Sequence, residues 1–437
     1  MTIRTPLSRA LAGLALVLAP SASPAQGRPD DSLRLERLHA AAEQRDPRAR
    51  QLAIREAQTA LRLRTIAAER LPSLAGSAQG QHQSVVTRFP APPGATVPTI
   101  PHDTYDANVA VTEPLLDPTR SARATVERAQ LARARADVAT ALYGVRQQVN
   151  ASFFAAAALA ARHDAVAATI AELEAQARVV DSRVRNGTAL RSELSALRAE
   201  VLRRQQDDAQ LLAERDAALR VLSDLTGITI GGDTPLALPA LEQRVAEARA
   251  RRDSSAARPE LERFERMRDL LARQAAVAGA QTKPRVSAFA RAGIGKPGLN
   301  MLSTRPESYW IGGVQVQWTP FDWGRTARER QVLELERDAV EAESAAFRDA
   351  LRRSTVSDLA TIDRLERVLA TDEEIIALRE QIVREAAARF RESSITAAEY
   401  VDRQTDLLTA RIARGLHRVE LAQARATYLT TLGLQVR

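Results

Sequence analysis

Two short segments of the chain alternate between apolar and polar or small positions. Tyr105, Ala107, Val109 and Val111 alternate with Asp106, Asn108, Ala110 and Thr112. Trp310, Gly312, Val314, Val316 and Trp318 alternate with Ile311, Gly313, Gln315, Gln317 and Thr319. A period of two predicts strands with one apolar face. In a water-soluble sheet that face packs on a core; in a membrane barrel it meets lipid, with aromatics at the interfaces. A different pattern follows each segment. Between Arg120 and Gly187 there is no proline and only Gly144; between Arg325 and Leu432 there is no proline and only Gly415. A helix from Arg120 to Asn186 would reach about 100 Å, longer than a globular core needs. Val138, Leu142, Val145 and Val149 step by coiled-coil intervals, and Ile362, Leu369, Ile376, Val383 and Phe390 recur every seventh residue. Many other inward candidates are alanine, which permits close helix approach.

These elements occur twice. Pro47 and Pro72 correspond to Pro259 and Pro284, each 212 residues later. Val109-Ala110-Val111-Thr112 returns as Val314-Gln315-Val316-Gln317, and Leu116-Asp117-Pro118-Thr119-Arg120 as Phe321-Asp322-Trp323-Gly324-Arg325, now 205 later. Arg183-Val184-Arg185-Asn186-Gly187 aligns with Arg389-Phe390-Arg391-Glu392-Ser393, and Leu225-Thr226-Gly227 with Thr431-Leu432-Gly433. Ordered matches at nearly constant shift mark a duplication. The change of shift puts a longer loop in the first copy, between Pro72 and Tyr105. Pro90, Pro92, Pro93, Gly94, Pro98 and Pro101 make it irregular and exposed.

The expected organisation is a signal peptide over 1–25, a first repeat over 26–226, a linker over 227–257 and a second repeat over 258–437. Strands are expected at about 73–86, 104–114, 285–295 and 309–319, and long helical hairpins at about 118–226 and 323–433. Asn186-Gly187 suits a left-handed break at the first hairpin tip; Glu392-Ser393-Ser394 holds that place in the second, with Ser394 a candidate helix cap. Asp117 and Asp322 sit where strand gives way to helix and read as caps. Arg4 and Arg9, the apolar run Ala10–Ala19 and Ser23-Pro24-Ala25 follow the order of an export signal.

Composition removes several functions. Among 437 residues there is no cysteine, so disulfides, thiolate chemistry and an N-terminal lipid on cysteine are excluded. No run of about 20 apolar residues follows the first 25, which argues against helical membrane spans. The formal charge of +8 falls to +6 without Arg4 and Arg9 and is spread among acids, unlike a nucleic-acid stripe. His39, His82, His102, His163 and His417 are scattered, and Lys283 and Lys296 are the only lysines. No metal site, cofactor or phosphate loop is expected, and no enzyme. Two readings remain: a membrane β-barrel carried by long helices, and a soluble periplasmic coiled-coil adaptor or scaffold. A third, polyanion binding, rests on net charge alone.

The residues resemble the TolC-type outer-membrane channel family. The resemblance lies in the two helix–Pro–strand passages, the turns Leu115-Leu116-Asp117 and Pro320-Phe321-Asp322, the Arg-x-x-x-Gly hairpin and the two Leu/Thr/Gly closings, and it runs from about Leu33 to Gly433. It implies a mainly α protein with a small β part: a homotrimer whose chains give four strands each to one outer-membrane barrel and their helices to a periplasmic tunnel. It implies passive conduction, with a periplasmic adaptor and an inner-membrane pump of RND or ABC type as partners, in efflux or type I secretion. Acidic residues six and nine positions after the second hairpin's glycine ring the tunnel mouth in the family; Ser393 holds that glycine position, so Glu399 and Asp402 inherit the gate. Glu193 is the first-repeat counterpart, whose family partners are an aromatic hydroxyl and an arginine; here those positions are Phe390 and Ile395, with Arg191 or Arg389 as substitutes. The tips Arg185–Leu190 and Arg391–Thr396, with Gly187, Glu193, Arg389, Phe390 and Ser393, become closure and adaptor-docking candidates, and Trp310 and Trp318 the membrane-interface aromatics.

Overall fold

The computed structural model describes residues 33–87, 94, 100–251, 257–301 and 303–436. The expected signal peptide lies outside the described residues, as do Pro90, Pro92, Pro93 and Pro98 of the expected loop. The elements run α1 (Leu35–Arg45), α2 (Pro47–Ala68), β1 (Ser73–His82), β2 (Asp103–Leu116), α3 (Pro118–Arg185), α4 (Arg191–Thr226), α5 (Glu242–Ala250), α6 (Pro259–Gln281), β3 (Arg285–Lys296), β4 (Glu307–Gln317), α7 (Arg325–Arg391) and α8 (Ala397–Thr431).

Local chemistry sets these boundaries. The Asp46 side chain accepts the Arg48 N–H and Pro47 opens α2; Asp117 accepts the Thr119 N–H and Pro118 opens α3. Both place a carboxylate on orphan donors and a proline where none is lost. Asp322 accepts the N–H groups of Gly324 (3.0 Å) and Thr326 (2.9 Å) before α7. These bonds hold the Asp322 carboxyl below the ordinary carboxylate range. Ser394 does not cap α8, contrary to expectation. Its hydroxyl donates back to the Arg389 carbonyl (2.9 Å), closing α7, and Thr396 caps α8 through the Glu399 N–H (3.2 Å).

The 68-residue α3 and 67-residue α7 run the length of the molecule. Near the strands the helices lie in the order α2, α3, α6, α7; toward the other end the order is α4, α3, α8, α7. The expected linker holds a helix, α5, which packs on α8. Where the halves overlap, one large core joins Leu38, Phe153, Phe154, Leu222, Leu241, Ile362, Leu365 and Leu429. Beyond it burial comes in small stacked clusters, one of them Val166, Leu211 and Leu408. Four of the five heptad positions, Ile362, Ile376, Val383 and Phe390, are buried. A stretch of α3 is apolar enough by length and composition to cross a membrane, which the sequence reading excluded. Its alanines flank Phe153 and Phe154, which pack in the central core.

Within that core His39 Nε2 lies 2.6 Å from Asn150 Oδ1. Burial holds the His39 pKa below its ordinary 6.5. Below pH 6.5 the unfolded chain takes up a proton that the native imidazole refuses, so this stability is present above pH 6.5 and lost as pH falls. His39→Gln therefore has a flatter stability–pH curve than wild type between pH 7.5 and 5.5, measured by urea unfolding in detergent.

Candidate functional site

The four strands form one antiparallel sheet in the order β1-β2-β3-β4. Its register puts the alternating sequence on two chemically distinct faces. Val109 opposes Gly76 and Ala292, Val111 opposes Leu74 and Ala290, and Trp310 opposes Ala292. With Ile294, Val314 and Val316 these make one apolar face. It is bare to solvent: Val109 is 51% exposed, Val314 64% and Trp310 79%. The opposite face carries Ser77, Gln79, Asp106, Asn108, Arg291 and Tyr309. There Ser77 Oγ donates to Asn108 Oδ1 (2.9 Å), and Asn108 and Tyr309 both donate to the Asp106 carboxylate.

Pro114, which cannot give a ladder N–H, sits at a register shift between Pro114 and Leu116. β1 and β4 are open edges, and no strand pairs with either outer side among the described residues. An apolar face of this size with two unpaired edges is unfinished in water.

Trp310 lies near the start of β4, and Trp318 just beyond its end, its indole N–H donating to the Thr282 carbonyl at 3.1 Å. Sequence reasoning missed Trp323, which is exposed with φ 57° and makes an edge-on contact with Phe321, 4.8 Å between centroids. At the other end of the sheet His82 Nδ1 lies 2.7 Å from Asp103 Oδ1 and its ring stacks on His102.

At the far end of the molecule the two hairpins turn by the same geometry. Gly187 (φ 72°) and Ser393 (φ 56°) are both left-handed. The Gly187 and Thr188 N–H groups reach the carbonyls of Val184 (3.1 Å) and Arg183 (2.8 Å); those of Ser393 and Ser394 reach Phe390 (3.1 Å) and Arg389 (3.0 Å). This is the Schellman pattern, made twice. A serine at the left-handed position is strained by its Cβ. Ser393→Gly is therefore about 1 kcal/mol more stable than Ser393→Ala, because both lose the hydroxyl and only glycine loses the strain. Paired chemical-denaturation curves measure the difference.

Phe390 is buried and stacks on Tyr400, 5.5 Å between centroids, in a cluster with Leu173, Val180, Leu194 and Leu197 from the other hairpin. Burial raises the Tyr400 pKa, and its hydroxyl accepts from Gln404 at 2.8 Å. Glu193 and Glu399 occupy matching places in the first turns of α4 and α8. Glu193 accepts the Leu190 N–H (3.3 Å), and Glu399 accepts the Thr396 N–H (3.0 Å). Both therefore cap their own helices, a use the sequence reading did not foresee. Asp402 is exposed one turn beyond Glu399.

Among the described residues neither Arg191 nor Arg389, the sequence's substitutes for a closing arginine, bridges the hairpins. Arg183 does, donating to the Phe390 carbonyl (3.3 Å), the Thr188 carbonyl (3.3 Å) and Ser393 Oγ (2.7 Å). The Arg-x-x-x-Gly spacing to Gly187 was the available signal.

This geometry of a two-faced four-stranded sheet on duplicated long hairpins is that of solved outer-membrane channels. The outer membrane protein VceC of Vibrio cholerae superposes with a TM-score of 0.67 at 17% identity, covering 92% of this chain and 97% of that one. The chain has the TolC-type channel fold. The open state of the Neisseria gonorrhoeae MtrE outer membrane channel matches at 0.67 and 17% identity, covering 92% and 90%. The Campylobacter jejuni CmeC outer membrane channel matches at 0.66 and 13%, covering 91% and 85%. No family model and no curated protein matches the sequence. The TolC-type fold places the sheet at one end of the molecule and the hairpin tips at the other, and the solved neighbours are channels rather than enzymes.

Proposed function

We propose that this protein is a passive exit duct in the outer membrane of a Gram-negative bacterium, built by three copies. The two-faced sheet with both edges open carries the reading. No open edge survives in lipid, so β4 of one copy pairs with β1 of the next until the barrel closes. Two copies give eight strands, an interior that side chains fill. Three give twelve and leave a polar lumen lined by Asp106, Asn108, Arg291 and Tyr309. The apolar face then meets outer-membrane lipid, with Trp310 and Trp318 toward its two interfaces.

The helices support side-by-side assembly of copies. α7 is an edge of the helical layer along its whole length, and Val332, Leu335, Val356, Ile375, Leu378 and Ile382 on it are exposed. The opposite edges, α2 and α4, expose Ile54, Leu61, Leu202, Leu212 and Val221. A neighbouring copy covers one set with the other.

In this reading the hairpin tips face a periplasmic adaptor and, through it, an inner-membrane pump of RND or ABC type. Gly187, Glu193, Arg389, Phe390 and Ser393 belong to the closing and docking region, and three copies of Glu399 and Asp402 form the acidic gate. The soluble-scaffold reading gives no role to a bare apolar sheet face.

The test is purification in detergent followed by planar-bilayer recording. Wild type sediments as a trimer and conducts; a soluble, non-conducting monomer would sink the proposal. For the gate, Glu399→Gln keeps an acceptor for the Thr396 N–H while removing charge. Together with Asp402→Asn it weakens block by multivalent cations roughly tenfold, a change of about 1.4 kcal/mol. Unchanged block removes both residues from the constriction.

A further inference from the structure

We infer that Arg183 is the positioning residue that ties the two hairpins of a chain together at their tips and thereby sets how far the tips stand apart. The inference rests on the reading of the tips as the duct's periplasmic mouth. Arg183 lies in the last turn of α3. Its guanidinium spans three segments: one nitrogen donates to the Phe390 carbonyl at the end of α7, the other to Ser393 Oγ in the second turn and to the Thr188 carbonyl in the first. The last carbonyls of α7 carry partial negative charge, and the Phe390 carbonyl among them accepts from this cation.

The rest of the tip contact is apolar. Phe390, Ala397 and Tyr400 pack against Val180, Leu194 and Leu197, and such a contact resists separation without fixing a single spacing. Arg183 adds directional bonds there. The strained Ser393 places its hydroxyl on this guanidinium, which gives the left-handed serine a use that glycine could not supply.

The duplication is broken at this point. Arg389 matches Arg183 in the repeat, yet its side chain is exposed and makes no bond across to the first hairpin among the described residues. Every acceptor on Arg183 is neutral. Bonds from a cation to neutral acceptors are weaker than those to a carboxylate, so the tie can be released.

The native chain has no cysteine, so Asn186→Cys and Glu392→Cys are its only thiols, and assembling labelled chains with a large excess of unlabelled ones leaves one labelled copy per trimer, whose two tips give the measured distance. Spin labels there are read by double electron–electron resonance in detergent-purified protein, with circular dichroism as a control for folding. Arg183→Ala broadens the inter-tip distance distribution and moves it outward by several ångströms. Arg183→Lys restores part of the narrow distribution. Ser393→Ala, which removes only the shortest bond and leaves the arginine, gives an intermediate shift and serves if Arg183→Ala does not fold. A wild-type distribution in both Arg183→Ala and Ser393→Ala overturns the tie, as does one in Ser393→Ala alone if Arg183→Ala does not fold. Conductance is recorded separately on the unlabelled variants: a several-fold rise for Arg183→Ala joins the tie to the mouth. Widened tips with unchanged conductance leave the tie standing and reject the tips as the gate.

Discussion

Val109→Arg abolishes outer-membrane insertion, whereas Asn108→Arg one residue away leaves it intact. Val109 is central in β2, on the apolar face, with Gly76 and Ala292 opposite. Asn108 is on the polar face, beside Asp106 and across from Ser77. An arginine facing lipid near mid-bilayer costs about 2–4 kcal/mol per copy, and so roughly 6–12 kcal/mol for three. The same side chain in an aqueous lumen costs little and gains Asp106 as a neighbour. Membrane fractionation and the yield of detergent-stable trimer check the pair. Equal insertion of both variants would mean that the sheet does not face lipid on one side and water on the other. A soluble sheet predicts no such contrast, because an arginine on a face already bare to water carries little penalty.

Gly433→Ala destabilises the chain by about 3 kcal/mol or more, the largest effect expected of any single methyl here. Gly433 follows α8 with φ 81°, its N–H on the Thr430 carbonyl (3.0 Å). A Cβ there would stand 2.5 Å from the Ala257 carbonyl carbon and 2.7 Å from the Arg258 nitrogen, both backbone atoms. That backbone has little room to retreat. Arg258 is buried, bonded to the Thr430 carbonyl (3.0 Å) and to Glu260, and stacked over the Tyr143 ring. Tyr143 in turn donates to the Thr430 carbonyl, and burial pushes its pKa up to about 12. Gly187→Ala is the comparison. Nothing lies within 4 Å of its Cβ position, so it meets only the left-handed backbone cost of about 1–2 kcal/mol. Urea titration of the two variants separates steric overlap from conformational strain; similar losses would mean that the Gly433 contact relaxes freely.

Much of this architecture is legible in the residues. The alternation at Tyr105–Thr112 and Trp310–Thr319 marks β2 and β4 because their apolar face is continuous. The proline-free stretches mark α3 and α7, and the heptad from Ile362 to Phe390 lies along the buried side of α7. β1 is harder to read, since Ser73–His82 is mostly serine, alanine, glycine and glutamine, with Leu74 its one large apolar residue and little hydrophobic contrast. It ends at His82, short of the expected 86; β2 and β3 define its place through pairing, which a local pattern does not carry. α5 is short and weakly patterned, and it depends on α8 for a partner. The choice of Thr396 over Ser394 as cap was hidden because both are hydroxyl residues two positions apart; only the reciprocal bond from Glu399 selects one. Arg183 was visible in the repeat, but repetition suggests equal roles for Arg183 and Arg389, and three-dimensional packing makes them unequal.

The unfinished sheet has a consequence for biogenesis. In the proposed assembly a lone subunit carries two adhesive edge strands that no strand covers among the described residues, so time spent unassembled is time open to proteolysis and clumping. In the proposed trimer completion requires three bodies, so the yield of finished ducts would rise more steeply than in proportion to synthesis rate when subunits are scarce, and modest changes in expression would become large changes in export capacity.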